Sequence, residues 1–235
     1  MIGWKQNASR AGLGRSFAMP ALAAALLVAT AGLACLAEKQ FALRRDRAHD
    51  GVELALFPSG RLLPQLSLGR RHFVADLAWL AAIQYYGRHR LSDRRYPLAD
   101  HLFRVITECD PAFENAYLFG ALILAEAGEN DAAVALLERG VKANPGSWLL
   151  CFELGFLHFA YTKDWDRALP PLRRAAAMPG APEYVARFAA AAGERAGRPE
   201  IAAQLWAAVA RESANEEVRR IARERLAALG YRLPD

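Results

Sequence analysis

Apolar residues recur three and four positions apart from about residue 73 to residue 229, and polar or proline-bearing turns interrupt them at short intervals. That spacing is the signature of helices with one buried face. It predicts helices over 73–87 and 96–109, 113–127 and 130–143, 147–162 and 165–177, 182–196 and 199–212, with a last one from Asn215 to Leu229. Near the amino terminus the pattern is different. The run from Phe17 to Ala37 is apolar and holds no charged side chain. At 1.5 Å per residue such a helix is about 30 Å long, which matches the hydrocarbon core of a bilayer.

The helical part repeats itself. Pro111, Pro145 and Pro179 are evenly spaced along the chain. Gly128 is followed by Ala133, Leu137, Gly140 and Pro145; Lys163 is followed by Ala168, Leu172, Ala175 and, one residue early, Pro179. Gly197 leads to Ala202, Trp206 and Val209, and upstream Ala99, Phe103, Ile106 and Pro111 take the same places. The register has a mechanical cause. A small residue lets two helices of a hairpin approach, a bulky one four positions later fills the space beside them, and proline stops the second helix. Ala99, Phe103, Ala133, Leu137, Gly155, Ala168, Leu172, Ala202 and Trp206 are therefore the expected packing positions.

The first helices carry Trp79, Ile83 and Tyr86, then Tyr117, Ala121 and Leu124, then Cys151, Leu154, Gly155 and His158. With the proline register, these approximate the W-x2-LG-x2-Y pattern, and residues 73–212 resemble the tetratricopeptide repeat family. The match departs from the pattern at the long turn from Arg88 to Tyr96 and at Gly120, where leucine is usual. The resemblance implies an all-α solenoid of about four helix hairpins. Asn215 to Leu229 would be its capping helix, since the end of a solenoid needs one wet face. It also implies a scaffold, which by itself names no partner.

The chain thus divides into a basic tail (1–16), a transmembrane helix (17–37), a juxtamembrane connector (38–72), the repeats (73–212) and the cap with its tail (213–235). A cleaved signal peptide is the rival for the apolar segment, but its core is usually shorter than this one. Gly32 to Cys35 only loosely fits a lipoprotein signal. Lys5, Arg10 and Arg15 face Lys39, Arg44, Arg45 and Arg47 across the span, a near balance under the positive-inside rule. A short charged tail is costly to translocate, whereas long domains cross regardless. The expectation is a single-pass inner-membrane protein with its repeats on the extracytoplasmic side. In the connector, Leu62, Leu63, Leu66 and Leu68 are too apolar for a solvated linker; they pack against the first hairpin or lie at the membrane surface.

Charge removes one class of function. The net charge is +5, but residues 1–50 hold seven Lys/Arg against three Asp/Glu, which leaves 23 against 22 elsewhere. The helical part lacks the electrostatic footprint of a nucleic-acid binder. Cys109 and Cys151 fall on different hairpins and read as small buried thiols, Cys35 lies in the apolar segment, and no C-x2-C pair exists.

Catalytic constellations are equally sparse. His49, His72, His89, His101 and His158 share no metal-ligand spacing, and Asp100 and His101, adjacent on a helix, point apart. Asp164 and Asp166 flank Trp165 where a helix cap belongs. There is no phosphate loop and no nucleophile elbow. The expectation is a protein without enzymatic activity, cofactor or metal.

In a solenoid of the resembled type, the first helix of each hairpin lines the groove. The register places Leu80, Gln84, Asn115, Leu118, Leu122, Phe152, Phe156, Phe159, Tyr184 and Arg187 there. Phe152, Phe156 and Phe159 form one stripe that is either core or surplus apolar surface offered to a partner. Some members of the family grip a terminal carboxylate with Lys and Asn, and here Asn115 stands nearly alone. The expected ligand is an apolar or amphipathic helical segment of another protein. The expected function is a membrane-tethered adaptor that recruits or assembles an envelope complex. The alternatives are a lipidated or secreted assembly factor for a pilus or secretion machine, or a non-catalytic subunit of a larger membrane complex.

Overall fold

The computed structural model of the protein describes residues 69–232. The chain divides into two units, Met1–Glu53 and Leu54–Asp235, and the described residues all belong to the second. They form α1 (Arg71–Arg90), α2 (Ala99–Cys109), α3 (Glu114–Glu126), α4 (Asn130–Ala143), α5 (Trp148–Leu157), α6 (Trp165–Ala176), α7 (Glu183–Arg195), α8 (Pro199–Glu212) and α9 (Glu216–Ala228). A single π turn, His158–Thr162, follows α5. There is no strand among the described residues. Each helix packs on the next, and α3 also touches α5, an arrangement consistent with an α-solenoid. The expected span at 17–37 and most of the connector lie outside the described residues; within them, no helix is long and apolar enough to cross a membrane.

A recurring left-handed residue closes the hairpins. Arg94, Gly128, Lys163, Gly197 and Gly230 all have positive φ, between 55° and 82°. Their spacing is nearly constant, and the interval from Gly128 to Lys163 is the longest, by a single residue. After α3, α7 and α9 the chain closes the same way: Glu129 N donates to Leu124 O at 2.8 Å, Arg198 N to Gly193 O at 2.9 Å, and Tyr231 N to Leu226 O at 3.0 Å. These bonds satisfy carbonyls that a helix end leaves open. In the third hairpin Asp164 N reaches back one residue further, to His158 O at 3.0 Å. The π turn absorbs that extra residue, and α6, shorter than α4, gives it back before Pro179.

Other helix ends follow side-chain chemistry. Ser147 Oγ accepts from Leu150 N, Asp164 Oδ1 from Arg167 N and Asn215 Oδ1 from Glu217 N, each at a helix start. α2 begins at Ala99, later than the expected 96, because Leu98 N donates to the hydroxyl of Tyr85 at 3.1 Å and Tyr96 is buried in the turn. The carbonyls of Pro111 and Pro145 close the mouths of their hairpins, accepting from Asn144 Nδ2 at 2.9 Å and from Arg174 at 2.8 Å.

Ala99, Phe103, Ala133, Leu137, Gly155, Ala168, Leu172, Ala202 and Trp206 are all buried. All but Gly155 belong to three apolar clusters that succeed one another along the chain, from α1 to α9. At Gly155 the helices are too close for any side chain, since a Cβ would lie 2.5 Å from Leu172 Cγ and 3.1 Å from the Ala168 carbonyl oxygen. Gly120 is similar. Its missing Cβ would fall 2.6 Å from both Phe103 and Leu136, so the departure from leucine there serves close packing.

Candidate functional site

Where one hairpin meets the next, the first helices touch through aromatic rings. Between α1 and α3, Phe119 lies 5.5 Å from Trp79 and 5.2 Å from Tyr86, ring centre to ring centre. Between α5 and α7, Phe188 sits among Phe152, Phe156 and Phe159 at 5.5, 5.5 and 5.6 Å. Such edge-to-face contacts add roughly 0.5–1.5 kcal/mol per pair to the area they bury. The expected groove stripe therefore packs into the α5–α7 junction. Phe152 is buried, Phe156 and Phe159 are partly buried, and Arg195 stacks on Phe159 at 4.5 Å. Tyr184 joins the same cluster, 5.3 Å from Phe152.

The middle junction, α3 against α5, is built differently. Leu118, Leu122 and Ala125 stand one repeat before Phe152, Phe156 and Phe159, so the forward face of α3 carries aliphatic side chains where α5 carries three phenyl rings. Opposite them is Glu153, one repeat after Phe119. A carboxylate thus occupies the place that a ring fills at the α1–α3 junction. The result is a concavity of about 60 Å³, lined by Leu118, Ala121, Leu122, Ala125, Leu137, Glu153, Phe156, Leu157 and Tyr161. Leu122 and Tyr161 at its mouth are 52% and 46% exposed.

Glu153 is the polar feature of this apolar pocket. No hydrogen bond or ion pair reaches its carboxylate among the described residues, and burial pushes its pKa above the usual carboxylate range. Sequence reasoning missed both Glu153 and Phe188. The signal available was positional, an acid at the register position of Phe119. Of the expected groove residues, Leu118, Leu122 and Phe156 come together here, whereas Phe152, Phe159, Tyr184 and Arg187 do not line the concavity. Arg187 lies on α7 with its Nε buried and without a hydrogen-bond partner among the described residues.

A larger cleft of about 500 Å³ lies between α6 and α8, lined by Asp166, Leu169, Pro170, Arg173, Arg174, Arg198 and Ile201. Two of its three guanidinium groups already have partners within the chain: Arg198 pairs with Asp166 at 3.1 Å, and Arg174 donates to Pro145 O. It is an ion-pair seam between hairpins.

The remaining chemistry is dispersed. His72 lies against Asp110 at 3.0 Å and His89 against Asp93 at 2.7 Å, both near the surface. His158 is buried, its pKa lowered chiefly by burial, and its Nδ1 lies 3.3 Å from the Thr162 hydroxyl. Asp164 caps α6, while Asp166 pairs with Arg198. Cys109 and Cys151 are buried free thiols, and burial raises both pKa values. Among the described residues no three His, Cys, Asp or Glu side chains converge in a way that could hold a metal. No protein-family model matches the chain, and no curated protein matches it.

Proposed function

We propose that this chain is a membrane-tethered scaffold of the tetratricopeptide type, and that it holds an apolar or amphipathic helical segment of a partner protein at the α3–α5 concavity. The observation that carries this reading is the under-filled junction. Leu118, Leu122 and Phe156 converge there without the ring that fills the neighbouring junctions, and Leu122 and Tyr161 remain exposed at its mouth. One apolar side chain of a docked helix fits a pocket of this size, and a helix laid along the seam buries the rest. Glu153 gives the site a preference: a lysine, arginine or amide donor beside the apolar anchor satisfies a carboxylate that is partly buried and has no partner among the described residues. The site recognises and does not catalyse.

Tethering through residues 17–37 raises the effective concentration of whatever the groove holds at the membrane. The repeats stand on the extracytoplasmic side of the inner membrane, and the captured protein belongs to an envelope assembly.

The test is co-purification of the full chain after mild detergent extraction, with and without Leu122→Asp. Leu122 is exposed, so the variant keeps its helical circular dichroism. A specific partner present with the native chain is expected to fall at least tenfold with the variant, and undiminished recovery overturns the assignment.

A further inference from the structure

α1 carries apolar residues on both sides. One side buries Ala75, Ala78, Ala82 and Tyr85. The other presents Phe73, Leu77, Leu80 and Ile83 at i, i+4, i+7 and i+10, between 40% and 58% exposed. The register explains why this side is bare. Leu80 and Ile83 stand where Leu118 and Ala121 stand on α3, and those two line the concavity against α5. On α1 the contact with α3 is carried instead by Trp79 and Tyr86, both against Phe119. Leu80 and Ile83 stay outside it. A stripe of large apolar side chains about 15 Å long is a surface for something apolar.

Charge narrows what that something is. Residues 70–95 hold six arginines against two aspartates, and all six arginines are exposed. Residues 96–235 hold sixteen Lys/Arg against nineteen Asp/Glu. The positive excess of the helical part is therefore confined to α1, its first flank and the turn after it. It brackets the stripe: Arg70 and Arg71 precede Phe73, while Arg88, Arg94 and Arg95 follow Ile83. Among the described residues only Arg90 of the six has an acidic partner, Glu126. Asp76 is the one acid on the helix.

We infer that the bare face of α1 lies on an anionic lipid surface, with its apolar stripe in the interface and its arginines on the headgroup phosphates. A helix with Phe and Leu on one face and arginines around it has the chemistry of an interfacial helix. Arginine stems cover apolar surface while their charged ends reach outward, and a negative membrane surface attracts them. A second copy of this chain is a poorer occupant, since an isologous contact sets the same arginines against one another. The inference rests on reading residues 17–37 as a membrane anchor. α1 is the first described helix after that segment, so the tether holds it at high effective concentration beside a bilayer.

The test uses the full chain in a Cys35→Ser background, where the remaining native cysteines, Cys109 and Cys151, are buried. An environment-sensitive fluorophore is placed on Leu80→Cys or, as the reference at the far end of the array, on Ile221→Cys of α9. The chain is reconstituted into vesicles of phosphatidylcholine and phosphatidylglycerol in equal parts, with a nitroxide lipid labelled just below the headgroup. Quenching at Leu80→Cys is expected to exceed that at Ile221→Cys at least twofold. The excess should vanish in pure phosphatidylcholine. It should vanish too when Phe73→Ser and Leu77→Ser are combined, with the circular dichroism still helical because both side chains are exposed. Equal quenching at the two positions overturns the inference, as does an excess that persists without phosphatidylglycerol. Blue-shifted emission without quenching, the mark of a protein occupant or a second copy, overturns it as well. Alkaline carbonate reads the anchor separately. A chain stripped from the vesicles overturns the tether and this inference together, whereas a retained chain with an unquenched Leu80→Cys label overturns this inference alone.

Discussion

Glu153 shows how one residue sets both a cost and a preference. Burial raises its pKa, so within the carboxylate range the folded chain holds its proton more tightly than the unfolded chain does. Stability contributed by that proton is present at low pH and is lost as pH rises through the folded pKa. Glu153→Gln is accordingly expected to be more stable than the native chain at pH 7.5 in denaturant titrations, with the gap closing near pH 4.5. A gap of equal size at both values would show that burial of charge is not the cause. The comparison isolates Glu153, because His158, whose pKa burial lowers, destabilises both proteins alike as the pH falls below its ordinary value. Gly155 acts through space instead. Gly155→Ala gains about 1 kcal/mol in helix propensity. Overpacking against Leu172 and the Ala168 carbonyl costs about 1–3 kcal/mol. A net loss of stability is expected, and a rise in Tm would contradict the close contact.

Among the helices and turns, the third hairpin is the irregular one. Lys163 sits in the left-handed position that Gly128 and Gly197 occupy in other hairpins, after a π turn that accommodates one additional residue. A side chain there costs about 1 kcal/mol relative to glycine. Lys163→Gly should raise stability by about that amount, and it should leave the π turn in place, because the turn follows from residue count and not from the lysine. Deleting Ala160 restores the even spacing, and it should convert the turn to regular helix. Amide exchange across residues 158–164 reads both outcomes. The register that made the repeat visible also explains why the helices from α3 onward match the expected bounds closely. Proline, small-residue and left-handed positions are local features. The long turn before α2 was less legible, because it is held by a contact from Tyr85, well upstream in the chain.

For the chain as a whole, tethered capture requires an intact anchor. Mass spectrometry of the native protein is expected to find residues 17–37 retained on the mature chain, and a mature chain starting at Cys35 or after Ala37 would replace the tether with a processed form. The candidate site was only half visible beforehand. Leu118, Leu122 and Phe156 could be assigned to a groove by counting, because a helix face is periodic. Whether a given stripe stays open depends on what stands opposite. Phe188 fills the α5–α7 junction and closes it over Phe152 and Phe159, while Glu153 leaves the α3–α5 junction open.

Local pattern was enough to establish that residues beyond 70 form successive helices, where most of them end, and which small and bulky positions are buried. Those outcomes depend on periodicity, turn chemistry and a register that holds over neighbouring residues. Three features emerged only when the helices packed: which junction between hairpins is filled, where a carboxylate is left unpaired, and that α1 carries apolar surface on both sides. These depend on residues far apart along the chain meeting across an interface, and no local pattern records which two side chains will face each other.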